Sequence, residues 1–337
     1  MAITAAGVLS ACSAGTVAAP PPPPVDWHAF EARPAPPANT GPTIKERAVA
    51  ETYAAALEAP TFAQLASQLD EDPHFAFPGM SDVRGRDAVV GAHAILFGAF
   101  DHRKVVTTRV WRTDSAQAVE WTMAGTQERD WMGVAATHKP VTFRGLTLLF
   151  TKDDGSVNDI HVYFDASTVK AQLGAGPKDL ASLPVPSMPS GPAQILEQTG
   201  SPEETANVAA VRSELDALEV PNEAAYLAGM TDDVELTLPW RAQPLRGKED
   251  AARAQFRALH KGIAQLDTTI ANDWGVGSFA VVEYWIAGEQ VGPIGWVAPS
   301  RAHVVRLDVV DVTEVRAGKV ARVWRYDNLA ELSTLVP

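Results

Sequence analysis

Apolar positions along the chain fall into two long blocks, and each block passes from helical spacing to strand-like runs. In the first, Ile44, Ala48, Val49, Tyr53 and Leu57 form the stripe of an amphipathic helix. Thr43-Ile44-Lys45-Glu46, just after Pro42, is a capping box that opens it. Beyond Pro60, Phe62, Leu65 and Leu69 predict a shorter helix, followed by a short strand around Phe75–Phe77. A third helix is predicted from Asp87 to about Ala99, burying Val89, Leu96 and Phe100. Four runs near 104–112, 116–125, 141–151 and 156–164 are β-branched and aromatic, as strands require, and Asp154-Gly155 is a hairpin turn between the last two. In the second block Val208, Val211, Leu215 and Leu218 mark a first helix, and Ala252, Phe256, Leu259 and Ile263 a third. Its strand runs end at Val320–Tyr326. Helices first and a long antiparallel sheet after them is an α+β layout.

The blocks are copies of each other. Trp111, Ser115, Val119, Glu120, Ala124 and Gly125 recur in one register as Trp274, Ser278, Val282, Glu283, Ala287 and Gly288. Gly155 and Val157 recur as Gly318 and Val320, and Arg84-Gly85-Arg86-Asp87 returns as Arg246-Gly247-Lys248-Glu249. A period this long means tandem globular domains rather than a solenoid. Pro-rich and Gly-rich tracts separate the parts: a leader over 1–19, a proline-rich stalk over 20–42, a first domain over 43–174, a linker over 175–202 and a second domain over 203–337. Proline favours extended backbone, so the stalk reads as a semi-rigid spacer.

Composition narrows the picture. Hydrophobic residues make up 46% of the 337, enough for packed cores. A net charge of −13 repels phosphates, and no basic cluster offsets it, so a nucleic-acid partner is not expected. Neither copy carries a Gly-x-Ser-x-Gly elbow, a phosphate loop or a dinucleotide fingerprint, which leaves nucleotide-dependent and nucleophilic-hydrolase chemistry unsupported. The single cysteine, Cys12, ends Leu9-Ser10-Ala11-Cys12, the form of a bacterial lipobox behind a small apolar run, although no Lys or Arg precedes that run. The expectation is an extracytoplasmic protein, in the periplasm or on the cell surface, whose only membrane contact is a lipid on Cys12. With one cysteine, no disulfide forms within the chain.

The element order, with Val141-Thr142-Phe143-Arg144-Gly145-Leu146, the Asp154-Gly155 turn, Tyr163-Phe164-Asp165, Gln172-Leu173-Gly174 and Arg84-Gly85-Arg86-Asp87, resembles the nuclear-transport-factor-2-like superfamily. Within it, the first copy is similar to the SnoaL-like polyketide cyclase (ester cyclase) group over 43–174, with a weaker echo over 203–336. The resemblance implies two cone-shaped domains, each with three helices packed on a curved antiparallel sheet around an apolar pocket. Relatives often pair by their outer sheet faces, which implies an intrachain pseudo-dimer or a homodimer. In the cyclases an Asp on the last strand and a His on the preceding strand carry out acid–base chemistry, and no cofactor is needed. Anchored on the turn and the closing segment, Val162 stands at the Asp position and Leu148 at the His position. Neither moves a proton, so the first copy is expected to lack that machinery. In the second copy the same positions fall at about Arg325 and Asp311. They pair across the pocket floor in a catalytic role, with Asp327 or Glu283 assisting, or they form an ordinary cross-strand ion pair.

Candidate residues to line a pocket are Trp121, Leu148, Val162 and Phe164 in the first copy and Glu283 and Tyr284 in the second. Trp111, Trp121, Trp274 and Trp285 are core or pocket wall. On the last strand of the first copy, Asp159, His161, Tyr163 and Asp165 share a face opposite Val162. That face either packs between the copies, bringing His161 and Tyr163 near Trp324 and Tyr326, or it holds an acid–base or metal cluster of Asp159, His161 and Asp165. One His with carboxylates is a loose signal, and no metal site is assigned. Glu120 and Glu283 read as solvated positions of an outer face, and His74 and His93 as packing or surface residues. Three functions remain open: a binder of a small hydrophobic or polyketide-like molecule, a cofactor-free cyclase or isomerase, and a non-catalytic interaction module.

Overall fold

The structure is a computed structural model and describes residues 49–299 and 304–334. Cys12, the stalk and the capping box at Thr43 lie outside the described residues. The first domain comprises α1 (Val49–Glu58), α2 (Ala63–Ala66), β1 (Leu69–Ala76), β2 (Val83–Arg84), α3 (Arg86–Phe97), β3 (Phe100–Arg112), β4 (Ala116–Gln127), β5 (Pro140–Thr151), β6 (Val157–Tyr163), α4 (Ala166–Leu173) and β7 (Gln194–Glu197). The second comprises α5 (Pro202–Glu219), α6 (Glu223–Ala228), β8 (Met230–Thr237), β9 (Leu245–Arg246), α7 (Ala254–Gly262), β10 (Ile263–Val276), β11 (Phe279–Gln290), β12 (Val304–Arg316), β13 (Lys319–Asp327) and α8 (Ala330–Thr334). A π-helical turn, Lys248–Arg253, leads into α7. Among the described residues, no helix is long and apolar enough to cross a membrane.

The layout is α+β in two tandem domains, with sheet orders β2-β1-β6-β5-β4-β3-β7 and β10-β11-β12-β13-β8-β9. Both sheets are mixed. The long meanders β3 to β6 and β10 to β13 are antiparallel, whereas β1 and β8 lie parallel to the last strands, β6 and β13. Gln194–Glu197, inside the proline-rich tract after the first copy, adds a further parallel strand beside β3.

Local chemistry explains several boundaries. The first strand begins at Leu69, which periodicity put in a helix, and runs through Pro73 because the pairing with β6 shifts register between Leu69 and His74. Proline donates no ladder bond and is tolerated at such an irregularity. The repeated Arg-Gly pair ends a short strand and starts a helix through a left-handed glycine, Gly85 at φ 89° and Gly247 at φ 75°, where a Cβ would be strained. Asp165 accepts from the Ser167 and Thr168 amides and caps α4. It is therefore committed to the helix and does not join Asp159 and His161.

Three apolar clusters hold the molecule. One fills the first domain, one the second, and a third joins Trp111, Leu146, Leu148 and Tyr163 to Trp274, Val310, Val312 and Tyr326. The outer faces of the two sheets thus pack on each other, as in a dimer folded into one chain.

Candidate functional site

Strand register decides which residues face each interior. Trp121 lies opposite Gly145 and Val119 opposite Thr147, while in the second domain Tyr284 lies opposite Val309 and Val282 opposite Asp311. On the next pair, Thr147 meets Val162 and Asp311 meets Arg325. The counterpart of Asp311 is therefore Thr147, not Leu148. Leu148 points into the cluster between the domains, so its placement in a pocket is corrected. A slip of one residue moves a strand position to the opposite face.

Among the described residues, large side chains pack the interior of the first domain. Trp121, Val162 and Phe164 are all buried in its core. Phe164 lies 4.8 Å from Phe77, 5.0 Å from Phe143 and 6.4 Å from Trp131, ring centre to ring centre. Gly145 makes room for this cluster, since a Cβ there would sit 2.3 Å from the Trp121 indole. His93 is buried in the same core between the Tyr53 hydroxyl, 3.1 Å away, and the Val89 carbonyl. Burial lowers its pKa to about 4, against the opposing Val89 bond, so it is neutral at physiological pH.

The second domain holds a cavity of about 530 Å³ whose wall includes Trp240, Ile294, Leu307, Arg325 and Asp327. Exposed Arg241, Asp250 and Lys261 stand at its rim. At the floor, Arg325 donates from Nε and Nη2 to the two Asp311 oxygens at 3.0 and 2.7 Å, and Nη2 also reaches the Tyr284 hydroxyl at 2.7 Å. The Tyr284 hydroxyl donates to Asp311 Oδ2 at 2.7 Å. The bidentate pair leaves Nη1 outside it. Asp327 is 2% exposed and stands beside the Trp240 indole, whose hydrogen bond favours the ionised carboxylate. Burial raises the Asp327 pKa to about 7; Arg325 opposes that shift and Asp311 reinforces it. Burial, reinforced by Asp311, likewise raises Glu214 to about 7. Asp327 lines the cavity beside a fixed guanidinium, and a carboxyl that exchanges its proton near neutrality there can perform acid–base work or hold a polar group of a ligand.

Glu283 is not in that cavity, and neither it nor Glu120 is solvated. Both are buried between the domains in reciprocal bonds: Tyr163 donates to Glu283 at 2.7 Å, and Tyr326 donates to Glu120. Packing two outer faces together turns a solvated strand position into a buried one. The countercharges differ. Glu120 takes a bidentate bond from Arg109 of its own domain, at 2.8 Å for each contact. Burial would raise the Glu120 pKa, but Arg109 outweighs it and holds the carboxylate ionised. Glu283 is met by Asn272 and, from the other domain, by His161 Nδ1 at 2.6 Å. His161 therefore finds Glu283 rather than Trp324 or Tyr326, and Trp324 instead stacks on Arg109 at 4.2 Å.

His161 also touches Asp159, with Nε2 2.9 Å from Oδ1. Sequence reasoning missed His74, whose Nδ1 lies 2.6 Å from the same Asp159 oxygen. The parallel pairing of β1 with β6 sets His74 directly opposite Asp159, a contact no local pattern announces. Burial would lower the His161 pKa, yet Glu283 and Asp159 outweigh it and raise it to about 9. Of the two second-copy tryptophans named from the sequence, Trp274 lies in the interdomain cluster and Trp285 is covered by Arg306.

The sequence model of the SnoaL-like polyketide cyclase family matches residues 47–173, and that of a SnoaL-like domain matches residues 211–323. Among solved structures, the chain is similar to a candidate SnoaL-like polyketide cyclase from Jannaschia sp. CCS1, with 25% identity over 40% of this chain and 94% of that one and a TM-score of 0.37. It is similar to a candidate polyketide cyclase from Silicibacter sp. TM1040, with 19% identity, 40% and 97% coverage and a TM-score of 0.35. An LEH-like epoxide hydrolase from M. tuberculosis is similar at 20% identity, 40% and 92% coverage and a TM-score of 0.33. A search of curated proteins finds no match. The two sequence matches, one in each half, show that this chain belongs to the SnoaL-like family as a tandem of two domains with the nuclear-transport-factor-2-like fold.

Proposed function

We propose that the second domain is the working one and that its cavity binds a small molecule with an apolar body and one polar group, such as a ketone or hydroxyl. The carrying observation is the cavity itself, with one buried carboxyl, Asp327, set beside the Trp240 indole on an otherwise largely apolar wall. A buried carboxyl that keeps its proton up to about pH 7 can donate to the ketone or hydroxyl oxygen of such a ligand. Ile294 and Leu307 supply the apolar wall. The test is titration of the full-length chain with 2-acetylnaphthalene, a flat apolar ketone, followed by tryptophan quenching and calorimetry. Ile294→Trp with Leu307→Phe gives the cavity the aromatic bulk of the first domain. The expected result is saturable binding that this double variant abolishes; binding unaffected by the refilled cavity would sink the reading.

A second reading, acid–base catalysis without a cofactor, is favoured by the near-neutral Asp327 beside Arg325. It expects a rate limb near pH 7 that Asp327→Asn removes. On either reading we propose that the chain works outside the cytoplasm, tethered through Cys12 of Leu9-Ser10-Ala11-Cys12. Labelled palmitate should enter the native chain in bacterial cells and not a Cys12→Ser variant.

A further inference from the structure

A second cluster of titratable groups lies on the opposite side of the first sheet from its core and belongs to no part of the cavity just described. It consists of His74 on β1 and Asp159 and His161 on β6, whose ligand atoms all lie within 4.8 Å of one another. His74 Nδ1 and His161 Nε2 converge on one oxygen, Asp159 Oδ1, at 2.6 and 2.9 Å. The two rings stand nearly perpendicular, at 87°, with centroids 5.9 Å apart. Each imidazole gives its other nitrogen to a further carboxylate: His74 Nε2 to Asp82 at 3.1 Å and His161 Nδ1 to Glu283 at 2.6 Å.

We propose that His74, Asp159 and His161 bind a divalent transition-metal ion of the zinc class. Two imidazoles and one carboxylate form a donor set such an ion favours, and its bonds of about 2.0–2.2 Å need donors that converge as these do. A metal-bound imidazole characteristically donates its remaining N–H to a carboxylate, which fixes the ring and raises its basicity. Asp82 and Glu283 stand in those two places. The charge also fits, because three carboxylates, of which Asp82 is half-exposed, surround two buried imidazoles. His161 has no exposed side-chain surface, whereas 22% of the Asp159 side chain is exposed, which gives an ion a way in and room for a water. Adjacent sheet strands hold all three ligands, so little order need be imposed on binding.

Since Glu283 belongs to the second domain, the ion would also tie the two domains together. The site is independent of the cavity proposal, and either can fail alone.

The test uses the full-length, untagged chain, stripped with chelator and titrated with Zn²⁺ by calorimetry and with Co²⁺ by visible absorption. The expected result is one ion per chain, with the Co²⁺ bands of a low-coordinate N/O site. Asp159→Asn, which keeps shape and loses charge, should abolish uptake. Asp82→Asn alters a half-exposed side chain and should leave the fold intact while weakening uptake about 10–100-fold. No uptake by the native chain, uptake that survives Asp159→Asn, or affinity unchanged by Asp82→Asn would each overturn the proposal.

Discussion

Where the first domain places Trp121, Trp131, Phe143 and Phe164 around its interior, the second places Tyr284, Ile294, Leu307 and Asp327 at the corresponding positions. The same scaffold therefore supports a filled core in one copy and a hollow of about 530 Å³ in the other. The exchange is coordinated. Thr147 and Val162, neutral partners across two strands, become Asp311 and Arg325, a charged pair that a core of packed rings could not accommodate. A duplicated fold can thus devote one copy to stability and leave the other free to carry buried charge. Buried acids that titrate near neutrality in an otherwise consistent sequence are a common mark of a working site.

The largest expected effect comes from emptying the filled copy. Trp121→Ala removes a fully buried indole and should cost about 3–5 kcal/mol in urea denaturation, as large-to-small core changes do. A loss under 1 kcal/mol would mean that the first interior is not a rigid core.

Next is the acid of the hollow copy. Asp327 titrates at about 7 when folded against 3.8 in its ordinary state, so folding holds its proton more tightly. Its contribution is most favourable below about pH 4 and is lost as pH rises to about 7. Asp327→Asn, neutral throughout, should thus be nearly silent at pH 4 and stabilise by roughly 2–4 kcal/mol at pH 8. A pH-independent effect would place Asp327 in contact with water.

Gly145 and Val309 occupy corresponding positions opposite Trp121 and Tyr284. Gly145→Val should cost about 1–3 kcal/mol by overpacking, and part of that should return on adding Trp121→Tyr. Additive losses would break the correspondence between the two copies.

The smallest contrast lies in the interface. Tyr163→Phe and Tyr326→Phe each delete one bond to a buried glutamate, and each should cost about 1–2 kcal/mol. Arg109 secures Glu120 within its own domain, while Glu283 depends on His161 from across the interface. Tyr163→Phe should therefore make stability more sensitive to salt than Tyr326→Phe does.

Much of this was legible beforehand. The helical stripes before a four-strand meander, the repeated Trp-Ser-Val-Glu register and the Arg-Gly pairs carried the α+β tandem, because periodicity and left-handed glycines are local properties. Asp311 and Arg325 could be singled out by carrying the cyclase positions over to the second copy, and the structure pairs them across adjacent strands. The face of Leu148 was not legible, because the pairing of β5 with β6 shifts register between Phe150 and Thr151, and one residue reverses a face. His74 was hidden for a different reason. Its partner Asp159 arrives through a parallel pairing of strands far apart in sequence.

The amino-acid order by itself determined the two domains, their helices and strands, and which positions carry unusual charge, since these follow from spacing and residue chemistry along the chain. Only the tertiary structure decided that one interior is full and the other hollow, that Glu120 and Glu283 are buried between the sheets, and that two histidines meet over one aspartate. Each of those depends on packing between strands distant in sequence, where a few ångströms of side-chain volume or a single step of register sets the outcome.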